Sequence, residues 1–216
     1  SPAIAAFVVV LRHGGLSGFR KFLSRVLLWR SSPAWYAFLF VGIPGIFYGG
    51  AAMNGNLAEN PVPIALKTLP IALLLMAIKG PIEEFGWRGL ALPLLQRRVA
   101  PFWAALILGI IWGLWHLPAF LLSGTPQGAW SFTPFLAGSV ALSVVVTPLF
   151  NNSGGSILLA ALFHFMLINP IFPDAQPYDT CLFILAAVVI VWLNRSKMFG
   201  REGAVTQIIP SRTGRG

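Results

Sequence analysis

Apolar stretches long enough to cross a bilayer recur along this chain from Pro33 to Leu193, with polar breaks between them. The pattern predicts spans at about 33–52, 63–95, 101–122, 133–150, 155–172 and 178–194, with a shorter run at 1–11. The expected fold is therefore all-α: a polytopic transmembrane helix bundle of six full spans plus a partial N-terminal one. It forms a single membrane-embedded domain over 1–195, followed by a basic, disordered tail over 196–216. Because Ser1 to Leu11 is too short to span alone, the natural start is expected to lie upstream. Segment 63–95 exceeds the roughly 20 residues a crossing needs, so it must tilt or break. Gly80-Pro81 is the predicted break, since Pro81 has no backbone donor and disfavours helical geometry at the residue before it. Leu16 to Leu27 sets Leu16, Phe19, Leu23, Val26 and Leu27 on one helical face, with Lys21 and Arg25 opposite, as in a helix lying in the membrane interface.

Composition supports the membrane reading. Hydrophobic residues make up 56% of the chain and charged residues 10%, against about 25% charged in soluble domains. Mean hydropathy is +0.77. A formal charge of +9 raises the question of nucleic acid, but the basic residues cluster at span ends instead of lining an aromatic platform. Five lie between the first two apolar segments (Arg12, Arg20, Lys21, Arg25, Arg30), two at Arg97-Arg98, and five in the tail. Glu59 and Asp174 fall in the alternate loops, so the positive-inside rule places the tail in the cytoplasm. The expected partners are membrane lipids, not nucleic acid. The single cysteine, Cys181, excludes an intramolecular disulfide.

Six acidic residues occur in the whole chain, and two of them, Glu83 and Glu84, are adjacent inside a predicted span. A carboxylate there costs several kcal/mol unless it is paired or hydrated, so such residues usually face a bundle interior or a water-filled cavity and mark function. The competing reading is helix glue through Lys79 and Arg88. Glu84 and Arg88 are i, i+4 and share a helix face, while Glu83 points about 100° away. Glu84 thus has a partner and Glu83 is left freer, as a general base on water must be. His116, one turn after Trp112, and His164 lie on two later spans. The third histidine, His13, falls among the basic residues of the first loop. At 1.5 Å per residue, Glu83 stands about 20 Å above Arg97 and His164 about 15 Å above Gly154, which are compatible depths. His116 computes to roughly 27 Å above Arg98, which requires its helix to tilt or to start late, after Pro101. No HExxH or GxSxG motif is present.

The run Glu83-Glu84-Phe85-Gly86-Trp87-Arg88, followed by Trp112-Gly113-Leu114-Trp115-His116 and then by His164, resembles the CPBP family of intramembrane proteases, which includes the CAAX proteases and bacteriocin-processing proteins. The bacterial branch is the closer likeness, which implies the bacterial inner membrane. The resemblance covers roughly 63–172, with the catalytic motifs within 81–170. It implies a helix bundle that hydrolyses a peptide bond in a peptide or protein substrate in or near the bilayer, or in a lipidated one. Glu83 and His116 would activate water, Glu84 and Arg88 would orient them with Trp112 in support, and His164 would stabilise the oxyanion. The family places an asparagine four residues after the last histidine. Here that position is Ile168, and Asn169 follows it. Pro170 biases Asn169 away from helical dihedrals, so its amide can swing towards a cavity. The resemblance favours no metal. A zinc-dependent version of the reaction would draw its ligands from Glu83, Glu84, His116 and His164. Two further readings are a non-catalytic immunity or scaffold protein and a proton-coupled transporter, the latter disfavoured by the lack of repeated halves.

Overall fold

The computed structural model describes residues 1–55, 57–58 and 61–210. Among them the secondary structure is helical, with no strand. Four helical segments are long and apolar enough to cross a membrane: Pro2–Leu27, Pro33–Met53, Pro101–Phe120 and Phe132–Asn152. Ile157–Leu167 and Tyr178–Leu193 are shorter apolar helices. Glu59, Arg212 and Arg215, which entered the charge pattern, lie outside the described residues.

The first segment corrects the expected partial span. Helix α1 runs Pro2–Leu23 and continues as a 3-10 turn, Ser24–Leu27. It kinks at Gly15, whose φ of 58° lies in the left-handed region that glycine enters at little cost. A helical piece does begin at Leu16, but its faces differ from the expected ones. Phe22 and Arg25 are its buried residues beyond the kink, with Gly18, while Leu16 and Leu27 are exposed. Arg25 is inside because backbone carbonyls from three distant segments receive it, which helical periodicity does not reveal.

Helix α2 covers Pro33–Met53 with a π turn at Phe38–Gly42. Segment 63–95 breaks where predicted. Helix α3, Leu69–Lys79, ends at Gly80, and the chain restarts as α4 (81–96). Helix α4 opens with a 3-10 turn, Pro81–Glu83, passes through Glu84–Gly86 and a π turn at Trp87–Ala91, and ends in Leu92–Gln96. Helix α5, Pro101–Trp115, begins at the predicted bound, and short α6, Leu117–Phe120, follows it. Helix α7, Phe132–Asn152, is the central post, packed along α5 and along α9, Tyr178–Leu193. Its Val145, Val146 and Leu149 join Leu39, Ile43, Phe163 and Phe183 in the main core. Helix α8, Ile157–Leu167, ends at Ile168 instead of running on to 172.

The tail differs from the expected disorder over residues 196–210. Arg195–Phe199 forms α10, and the chain beyond it straps back over the bundle. Gln96 Nε2 donates to the Val205 carbonyl at 2.8 Å, and Val205 N donates to Asn151 Oδ1 at 3.1 Å. Arg97 Nε reaches the Thr206 carbonyl at 2.9 Å, and Ile208 and Ile209 pack with Ala6, Val10 and Phe22. Val205, Ile208 and Ile209 supply apolar area that a Gly- and Arg-rich average hides. Residues 211–216 lie outside the described residues.

Candidate active site

Glu84 stands at the centre of the site, 1% exposed, where the α-helical part of α4 begins. Its Oε1 accepts from Arg88 Nη1 at 3.0 Å, the partner that i, i+4 spacing predicts. The same oxygen accepts from His164 Nδ1 at 2.8 Å, reaching across from α8. With Glu84 as acceptor, the hydrogen sits on Nδ1, and Nε2 is directed elsewhere. The Arg88 guanidinium lies over the Trp112 ring, 4.6 Å from its centroid, and the ring meets His164 edge to face at 5.3 Å. Three helices thus close Glu84, Arg88, Trp112 and His164 into one knot.

Most of the buried side-chain polar atoms without a protein hydrogen-bond partner belong to this knot: Glu84 Oε2, Arg88 Nε and Nη2, and Trp112 Nε1. Native structures leave few such atoms, and a polar cluster of this kind takes water or a polar ligand. His164 reaches its place because residue 80 is glycine. A Cβ there would stand 2.8 Å from His164 Nε2 and Cδ2, and 2.6 Å from Ile168 Cδ1. Gly80 therefore both breaks the helix and lets the imidazole onto its backbone.

Glu83 and His116 are half-buried at the margin of the knot. Glu83 Oε2 accepts from Trp87 Nε1 at 3.1 Å, and Trp87 meets Trp115 edge to face at 6.1 Å, which brings the two segments together. Trp87 is the residue that sequence reasoning missed: its spacing from Glu83 is the same i, i+4 that revealed Arg88. His116 caps the end of α5, and its Nδ1 lies 2.8 Å from the Trp112 carbonyl. A carbonyl only accepts, so Nδ1 carries the hydrogen and Nε2 is free of that bond. Glu83 and His116 share no direct hydrogen bond. Asn169 lies past the end of α8, where its Oδ1 accepts from Ile171 N at 3.2 Å in an Asx-type turn, and Ile168 packs against Gly80. As placed, Glu83, Glu84, His116 and His164 do not form a metal-binding group, and among the described residues no cluster of three or more His, Cys, Asp or Glu does.

The part of the chain that carries this site matches known proteins. The family described as Type II CAAX prenyl endopeptidase Rce1-like matches residues 65–169, which contain the whole knot. The chain is similar to CAAX prenyl protease 2 of Methanococcus maripaludis, with 28% identity over 142 residues. The match covers 61% of this chain and 52% of the relative, so the chain spans about half the length of the curated protein it matches. That relative lends no support to the bacterial branch in particular. Residues 65–169, a helical and largely apolar stretch of the chain, are similar to the Rce1-like CAAX prenyl endopeptidase family.

Proposed function

We propose that this protein is an intramembrane endopeptidase that hydrolyses a peptide bond near the C-terminus of a prenylated, membrane-associated peptide, using water activated by a glutamate. The observation that carries this reading is the asymmetry of the adjacent carboxylates. Glu84 is buried and held by Arg88 and His164, whereas Glu83 is half-buried and receives one neutral indole N–H. In the proposed step Glu83 takes a proton from water, and the hydroxide oxygen bonds to the scissile carbonyl carbon. The carbonyl electrons move onto oxygen, facing the histidine edges. On collapse the C–N bond breaks, and Glu83 returns the proton to the leaving nitrogen. His116, with its Nδ1 hydrogen committed to the Trp112 carbonyl, directs Nε2 at the water. His164 donates from Nε2 to the oxyanion as an imidazolium, whose charge Glu84 offsets. The substrate class follows from the names of the family and of the relative.

The test is hydrolysis of a prenylated CAAX-type peptide by the protein in lipid vesicles. Glu83→Gln is expected to lower kcat by about 10²-fold or more with an unchanged unfolding temperature. Full activity in that variant would remove the glutamate from the mechanism. Chelation is expected to leave the rate unchanged, and loss of activity that zinc restores would transfer the water to a metal.

A further inference from the structure

Arg25 lies outside the family match yet reaches into it. It is 1% exposed, and among the described residues no carboxylate pairs with it. Its Nε donates to the Gly155 carbonyl at 2.8 Å, and its Nη1 to the Gly89 carbonyl at 3.0 Å and to Ile208 O of the C-terminal strap at 3.2 Å. The guanidinium also stacks on Phe150, 5.0 Å from the ring centroid. A buried cation offset by carbonyl dipoles and the rings of Phe150 and Phe22 is costly to keep, so its place calls for an explanation beyond stability.

The two nearest carbonyls supply one. Gly89 directly follows Arg88 in the π turn of α4, and Gly155 directly precedes Ser156, the N-cap of α8. Helix α4 carries Glu84 and α8 carries His164, the two ends of the 2.8 Å contact at the heart of the site. We propose that Arg25 is a positioning residue for the Glu84–His164 pair, a strut whose rigid fork fixes the register of α4, at its π turn, against the start of α8. Gly155 is built for this role. Its φ of +86° suits glycine, and a Cβ there would lie 2.6 Å from Arg25 Nη2. The adjoining backbone is fastened as well, by the Ser156 hydroxyl donating to the Leu28 carbonyl. A lysine keeps the charge but not the fork, and so cannot span both carbonyls in fixed geometry.

The catalytic part of this inference rests on the proposed peptidase activity, so the test has two arms on the full chain in vesicles. In the first, Arg25→Met and Arg25→Lys are assayed on the prenylated peptide. The expected result is a kcat lower by about 10- to 100-fold, with KM held within about twofold. In the second, spin labels on cysteines at Leu94 and Leu158, two exposed positions on α4 and α8, are read in a Cys181→Ser background. Arg25→Met is expected to broaden the distance distribution. If the parent lacks peptidase activity, the functional reading fails while the distance arm still decides the strut. Unchanged distances, or a lysine variant matching the parent in both arms, would overturn the proposal. Failure of both variants to fold would also overturn it, because Arg25 would then hold the fold rather than the register.

Discussion

Helices α3 and α4 come from one apolar stretch, divided at Gly80-Pro81, and they behave as opposites. Helix α3 has no buried residue, and Ile71, Leu74, Leu75 and Ile78 all face outward. Helix α4 carries two carboxylates and a guanidinium, and Glu84, Trp87, Arg88, Leu92 and Gln96 are buried in it. In water the apolar half would be the buried one. In a membrane the solvent is apolar, so the charged half has to be enclosed by protein. Hydropathy therefore shows which segments enter the bilayer, and charge shows which of them enter the protein.

Substitutions on either side of the break test this contrast. The largest effect is expected from Arg88→Met, which leaves Glu84 buried without its cation. Breaking a buried pair in this way costs about 3–5 kcal/mol, read as a lower unfolding temperature in detergent together with lost activity. A stable Arg88→Met protein would show that α4 does not need its charges matched. Gly80→Ala comes next, because the new Cβ meets His164 and Ile168 at under 3 Å. Overpacking is expected to cost about 1–3 kcal/mol and to displace His164, lowering kcat by up to about 10²-fold. If the glycine served only the bend, the rate would be unaffected. Deleting 203–216 removes the hydrogen bonds of Val205 with Gln96 and Asn151, and is expected to cost about 1–3 kcal/mol by thermal unfolding. The smallest effect belongs to α3. Leu74→Ala is expected to shift stability by less than about 0.5 kcal/mol, and a larger loss would mean that α3 packs on protein after all.

The features read correctly from the sequence were those set by local rules. Spacing revealed the Glu84–Arg88 pair, and a Gly-Pro step revealed the break. The misread features depend on partners far along the chain. Arg25 was placed on a polar face because periodicity counts neighbours on its own helix, while its acceptors are at Gly89, Gly155 and Ile208. The tail read as loose because its few apolar residues are spread among glycine and arginine. No spacing rule links His164 to Glu84, eighty residues earlier, so their contact was not legible in the sequence. The Asn169 turn differs in being local: Pro170 marked the departure from the helix but not the Ile171 amide, two residues on, that captures the side chain.

The brevity of α3 carries one more consequence. Eleven residues make a rod of about 16 Å, roughly half the thickness of a typical hydrocarbon core, and α8 is equally short. Helix α8 is packed into the main core, whereas α3 has no buried residue and ends at Gly80, beside His164, so α3 is the short rod left to meet the lipid. A bilayer answers such a mismatch by thinning locally, at a cost that rises with each added methylene in its chains.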